Sequence, residues 1–242
     1  MIKNICIGPV TLSTSPRTVA IIDQQLPLVR LHALKQMGVD IIEVRVDCLE
    51  LDESALCSYI HTIKKETALP IIGTIRENDR TRPIRLRLFE QITPLVDAID
   101  IEIDAAIAGA VINQARGKTI IVSEHDYTQT PDLAGLNAIT ERAGRLGAHI
   151  IKIATTAHSF TDTLRLMIFT QRSGHHIVSM TMGPHGSISR IIAPMYGSLF
   201  SYGYTGKANA SGQLSVEELI EEFRRYYPGY ADGRSVLTNN IK

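Results

Sequence analysis

The chain has no surplus of charge: Lys and Arg number 25 together, and so do Asp and Glu. Without a net field, nothing draws it to nucleic acid or to an acidic membrane surface. Long apolar runs are missing as well. No stretch approaches the roughly 18 residues that a membrane span needs, and the N-terminal "MIKNICIGPVTLSTSP" lacks the pattern of a signal peptide. Cysteine is scarce: Cys6, Cys48 and Cys57 form no CxxC pair and suit a reducing compartment, with the cytoplasm as the default. No GxGxxG follows the first strand, so a dinucleotide fold has no support. "GYTGKA" (203–208) fails as a phosphate loop, because Ser201 stands where the first glycine belongs and Ala208 replaces the required Ser or Thr.

What the chain does have is alternation. Short β-branched runs read as strands at 4–10, 40–47, 70–76, 98–103, 118–126, 149–155, 176–182 and 198–204. Amphipathic stretches such as 26–38, 54–66 and 215–227 lie between them, the last opening on a capping box of Ser215 and Glu218. Strand–helix units of this length build parallel sheets. Eight of them predict a single-domain α/β fold, the (β/α)8 TIM barrel, over residues 1–227. An open doubly wound sheet shares the periodicity. Residues 228–242 are polar and turn-rich, and read as a tail or linker.

Side-chain alternation along a strand makes the charged positions informative. Glu43, Arg45 and Asp47 share one face of their run, Asp100 and Glu102 share a face of theirs, and Arg76 and His125 close two others. These charges gather toward the C-terminal halves of the strands, where barrels keep their active sites. Lys152 stands apart. It interrupts "HIIKIAT" (149–155) and shares its face with Ile150 and Ala154, although lysine is rarely buried without a reason. An interior amine condenses with a ketone to form a Schiff base, an electron sink for a neighbouring carbanion. It reacts when neutral, a form that desolvation and nearby guanidinium groups favour and nearby carboxylates oppose. A histidine then moves protons near neutral pH.

Taken together, "EVRVD" (43–47), "TIR" (74–76), "SEHDY" (123–127), "IKIA" (151–154), "SMTMGPHGSISR" (179–190) and "GKANASGQLS" (206–215) resemble type I 3-dehydroquinate dehydratase, the Schiff-base enzyme of the shikimate pathway of aromatic amino acid biosynthesis. The motifs fall in the family's order and cover most of residues 40–215.

The resemblance implies a lyase that converts 3-dehydroquinate to 3-dehydroshikimate without metal or dissociable cofactor. It implies Lys152 as the imine-forming residue and His125 as general base and then acid. It implies Glu43, Arg45 and Arg76 as polar substrate contacts, Arg190 as the carboxylate-binding arginine, Asn209 as a ligand contact where the family usually has serine, and Gln213 as a hydroxyl contact. Ser187 is expected to cap a helix over 187–197, adding free backbone N–H groups beside Arg190. One departure concerns "RENDRTRP" (76–83), where Arg80 occupies the place of a glutamate that orients the histidine in the family; Glu77, Asp79 and Glu102 are the candidates to replace it. The small-molecule substrate is the principal partner, with a homodimer and fusion to, or pathway partnership with, shikimate dehydrogenase as further expectations. Two rival readings are a class I aldolase and a non-catalytic barrel that binds a carboxylated ligand.

Overall fold

The β-branched runs become strands because their side chains pack on both sheet faces, and the amphipathic stretches become helices because each has one apolar stripe to bury. The computed structural model describes residues 5–12, 15–208 and 210–230. The strands of the main sheet are β3 (Thr18–Ile22), β4 (Ile41–Arg45), β5 (Ile71–Thr74), β6 (Ala98–Glu102), β7 (Thr119–Asp126), β8 (Ile150–Thr156), β9 (Ile177–Met182) and β10 (Ser201–Tyr204). They run parallel in the order β10-β3-β4-β5-β6-β7-β8-β9. At the seam, Leu199 N–H donates to the Ile177 carbonyl at 2.9 Å, which brings the approach to β10 against β9. The helices α1 (Leu28–Met37), α2 (Glu53–Thr67), α3 (Arg85–Ile92), α4 (Ala108–Gln114), α5 (Leu133–Arg145), α6 (Phe160–Arg172), α7 (Ser189–Ile192) and α8 (Val216–Tyr226) alternate with them. This is the (β/α)8 barrel that the periodicity predicts, and the doubly wound alternative falls.

One of the eight expected strand positions needs correcting. Residues 4–10 are not a barrel strand. Their described part forms a small antiparallel hairpin with its neighbours, β1 (Ile5–Ile7) against β2 (Val10–Leu12). Gly8 turns the chain between them at φ +54°, a conformation that glycine adopts without a Cβ clash. The true first strand is β3, whose "TVAII" carries no charged residue to mark it. The hairpin brings Ile7 and Leu12 against Val19, Ile41, Ile72, Ala98, Ile121 and Ile150 inside the barrel. It therefore closes the end where the strands begin.

The core has two layers. Ile150 and Ala154 of β8 belong to the barrel interior, while Ile151 and Ile153 belong to the shell between strands and helices. Helix α8 shows how the shell forms. Ser215 and Glu218 make the predicted capping box, and Val216, Leu219, Ile220 and Phe223 bury one stripe. Its start is pinned tightly, because a Cβ on Gly203 would lie 2.5 Å from Val216 Cα. Packing continues beyond residue 227, the expected end of the barrel: Tyr230 is buried, and its hydroxyl shares a 2.8 Å hydrogen bond with Thr18 Oγ1. The rest of the expected tail lies outside the described residues. No helix among the described residues is long and apolar enough to cross a membrane.

Candidate active site

Along each barrel strand the inward side chains change character from apolar to charged. β4 runs from Ile41 to Glu43, β6 from Ala98 to Asp100, β7 from Ile121 through Ser123 to His125, and β8 from Ile150 to Lys152. Register then sets them side by side: Ser123 pairs with Lys152, and Glu102 with Ser123. Charges that no local pattern would bring together thus meet over the C-terminal half of the barrel.

Lys152 is 5% exposed, so it is inside. Strand β8 lies between β7 and β9, so Lys152 is not on an edge strand with its amine in water. Its surroundings differ from the dry, apolar interior that Ile150 and Ala154 suggest. The amine donates to Asp100 Oδ2 at 3.0 Å and Glu43 Oε2 at 3.5 Å, and lies 4.1 Å from the centre of the Tyr202 ring. Such an ion pair with hydrogen bonds is what makes a buried charge tolerable. Asp100, fully buried, also accepts from Ser123 Oγ at 2.6 Å and pairs with Arg76 at 3.0 Å. Burial alone would raise this carboxyl, but Arg76, Lys152 and the Ser123 hydroxyl hold it well below the usual carboxylate range. Arg76 reaches Glu102 at 3.1 Å, and Glu102 also pairs with Arg85. Burial works against the Arg76 charge, yet Asp100, Glu102 and Glu43 more than compensate and keep it protonated.

Arg45 binds Asp47 in a two-pronged ion pair, at 3.1 Å from Nε and 2.7 Å from Nη2. Burial opposes its charge, but the Asp47 hydrogen bonds and charge outweigh that. Arg190 is the opposite case. It is 3% exposed, donates from Nε to the Gly212 carbonyl at 3.0 Å, and forms no ion pair among the described residues. Burial therefore pushes its guanidinium down to about 10. This is a cation built in without an anion. The helix expected to assist it is absent in that form: α7 is four residues long, continues as a 3-10 turn, and has no side-chain cap from Ser187.

His125 is neutral at neutral pH. Burial first, then the positive charges of Arg76 and Lys152, push its imidazole well below 6.5 against the opposing pull of Asp100. Among the described residues no hydrogen bond holds the ring, which stacks on Tyr127 with centroids 6.1 Å apart. None of the three candidate orienting carboxylates reaches it. Glu77 and Asp79 pair with Arg82 at 2.9 and 3.5 Å, and Glu102 is taken by Arg76 and Arg85. Arg80 turns away to the Val46 and Asp47 carbonyls at 3.0 and 2.9 Å.

Glu43, Arg45, Arg76, His125, Lys152, Arg190 and Gln213 all line one pocket, with Met180, Met182 and Tyr202 among the remaining walls. Asn209 lies outside the described residues. Sequence reasoning assigned no role to Asp100, although its strand face was noted, and it missed Tyr202 and Ser123 altogether. Only the barrel's register shows that these three adjoin the lysine. A more open cleft between α2 and α3 is lined by Asp52, Glu53, Arg80 and Arg87, but Arg87 and Glu53 already satisfy each other there.

An eight-stranded parallel barrel with a charged pocket above the C-terminal strand ends defines the chain as a (β/α)8 enzyme. The model of the type I 3-dehydroquinase family matches residues 18–227, and the chain belongs to that family. It is 36% identical to 3-dehydroquinate dehydratase of Methanocella arvoryzae over 196 residues, 78% of this chain and 88% of the relative. Type I 3-dehydroquinate dehydratase from Clostridium difficile, described as carrying covalently modified comenic acid, superposes with a TM-score of 0.82 at 25% identity, covering 93% of this chain and 98% of that one. A dehydroquinate dehydratase and shikimate dehydrogenase protein from S. pombe shares the fold at a TM-score of 0.73 and 23% identity, with 85% of this chain covering 43% of that chain. The family reaction is the dehydration of 3-dehydroquinate, which makes the chain a shikimate-pathway lyase and sets aside the aldolase and non-catalytic readings.

Proposed function

We propose that the dehydration runs through an imine between Lys152 and the substrate ketone, with His125 moving the proton. The substrate carboxylate seats on Arg190, whose charge is otherwise uncompensated. Its ketone then faces the Lys152 amine. Condensation releases the carbonyl oxygen as water and leaves a protonated imine, which acidifies the adjacent carbon. Neutral His125 takes that proton, then returns it to the departing hydroxyl so that a second water leaves. Hydrolysis of the imine restores Lys152 and frees 3-dehydroshikimate. Glu43, Arg45, Arg76, Asn209 and Gln213 hold the remaining polar groups of the ring.

The observation that supports this most is the pairing of two buried cations of different kinds in one pocket. Lys152 is a nucleophile held by carboxylates, and Arg190 is a fixed charge with no carboxylate of its own. A molecule with both a ketone and a carboxylate satisfies the two at once. Borohydride reduction during turnover of 3-dehydroquinate should leave a stable adduct on Lys152, located by peptide mass spectrometry. No adduct, together with full turnover in Lys152→Ala, would remove the imine.

The same reading extends to partners. The product is what a shikimate dehydrogenase consumes, and the S. pombe protein carries both names. The part of the expected 228–242 tail that follows Tyr230 then serves as a linker to such a domain, or the two enzymes act as separate neighbours. Assembly as a homodimer and a cytoplasmic location, which suits the free thiols of Cys6, Cys48 and Cys57, complete it.

A further inference from the structure

The Lys152 ammonium has three protons to share, and condensation leaves it one. One proton passes to a neighbouring carboxylate so that the neutral amine forms the C–N bond, and the carbonyl oxygen then departs as water with two of the three protons. The nitrogen keeps a single N–H and the positive charge. Before reaction, that nitrogen serves two buried carboxylates, Asp100 at 3.0 Å and Glu43 at 3.5 Å. Afterwards it can serve one.

The two are not equally exposed to this loss. Asp100 keeps Ser123 Oγ at 2.6 Å and Arg76 at 3.0 Å. Glu43 is 2% exposed, and among the described residues the Lys152 amine is the one donor that meets its side chain with good hydrogen-bond geometry. A buried carboxylate left without a donor is strongly disfavoured. A second donor beside it in the pocket is Tyr202. Its hydroxyl is fully buried, lies against Glu43 and Asp100, and closes no hydrogen bond of good geometry. Burial, with the charges of Glu43 and Asp100, keeps the phenol protonated and therefore a donor. Phe200 packs edge-on against the ring at 5.5 Å, and the backbone at the next residue, Gly203, lies close against the start of α8.

We propose that Tyr202 is a positioning residue for the imine: its hydroxyl donates to Glu43 once condensation withdraws the Lys152 N–H that Glu43 accepts. This rests on the Lys152 imine reading and adds the group that stabilises its surroundings. In the free protein the hydroxyl lies against Glu43 without a hydrogen bond of good geometry; in the covalent complex that bond closes. Tyr202 thus favours the reacted state over the resting one, which is where binding energy contributes to rate.

Tyr202→Phe separates this from a structural role. Removing a buried hydroxyl that closes no good hydrogen bond should leave Tm unchanged or raised, while kcat falls roughly tenfold to a hundredfold, the loss of one hydrogen bond to a charged group. The fraction of protein trapped on Lys152 by borohydride at saturating 3-dehydroquinate should fall with it. In a Glu43→Gln background the side chain carries no charge to stabilise, and adding Tyr202→Phe should lower neither turnover nor trapping further. Native trapping and kcat in Tyr202→Phe would overturn the proposal. So would equal losses in both backgrounds, or a fall in Tm that parallels the loss of rate. Failure of the native protein to trap at all would strike the imine itself, and that control is read before any variant.

Discussion

Arg190 shows how a single side chain can be a liability for the fold and an asset for the site. Its guanidinium is buried among Met180 and the Gly212 carbonyl with no acid to balance it among the described residues. A buried ion without a partner weakens the folded state, and sites of this kind trade stability for activity. Arg190→Met should therefore raise KM for 3-dehydroquinate roughly 10- to 100-fold, with Tm unchanged or raised. Arg190→Lys should not restore binding, because an ammonium lacks the planar fork that grips a carboxylate at two points. Steady-state kinetics and thermal melts read both, and a lowered Tm with unchanged KM would give Arg190 to the fold instead. The burial of Lys152 was legible in the sequence for a physical reason: a charge inside an apolar strand conflicts with its surroundings, and conflict is visible locally, whereas His125, in the polar stretch "SEHDY", was singled out by the family resemblance alone. Asp100 and Tyr202 were not legible, because an aspartate at a strand's end and a tyrosine in a β-rich run look ordinary until the register sets them beside the amine.

The hairpin β1–β2 and the strand β3 mark where the linear pattern misleads. "NICIGPV" has the β-branched content of a barrel strand, and only the Gly8–Pro9 break within it signals a turn. "TVAII" has no charge on its inner face, so it offers none of the contrast that distinguishes β4, β6, β7 and β8. Counting runs still reached eight, because one false strand replaced one overlooked. The site survived the error since Lys152 sits on the sixth barrel strand either way. The hairpin's place at the closed end also separates stability from chemistry. Ile7 is fully buried there, so Ile7→Ala should cost about 2–4 kcal/mol of unfolding free energy by loss of burial and an unfilled cavity. Because the pocket lies at the other end of the strands, kcat/KM per folded molecule should not change. Denaturant melts with parallel assays test this, and a large loss of kcat/KM in folded protein would mean that the two ends are coupled.

Across the whole barrel, one chain of alternating charges links the layers: Glu43, Lys152, Asp100, Arg76, Glu102 and Arg85. It joins β4, β8, β6, the segment after β5, and α3, so the pocket's electrostatics and the docking of α3 on the barrel share the same residues. His125 stands beside the cations of this chain, which gives the folded protein a defined response to acid. Its imidazole titrates near 6.5 when unfolded and well below that when folded. As the pH falls through 6.5, the unfolded chain gains a proton there that the folded chain does not accept. The stability contributed at this site is thus present above pH 6.5 and is lost as the pH drops toward the folded value. Between pH 6.5 and 5.5 the loss is at most about 1 kcal/mol. Asp100, held low in the fold, contributes in the same direction but in a separate window, below its unfolded range. His125→Gln should accordingly flatten the fall in unfolding free energy between pH 7.5 and 5.5 while leaving the steeper acid limb in place. In the native protein, the same depressed imidazole should keep the base available, so the acid limb of kcat/KM assigned to His125 lies below 6.5. NMR titration of the His125 ring decides both, since a value at or above 6.5 would break the link between the buried charge network and the base it surrounds.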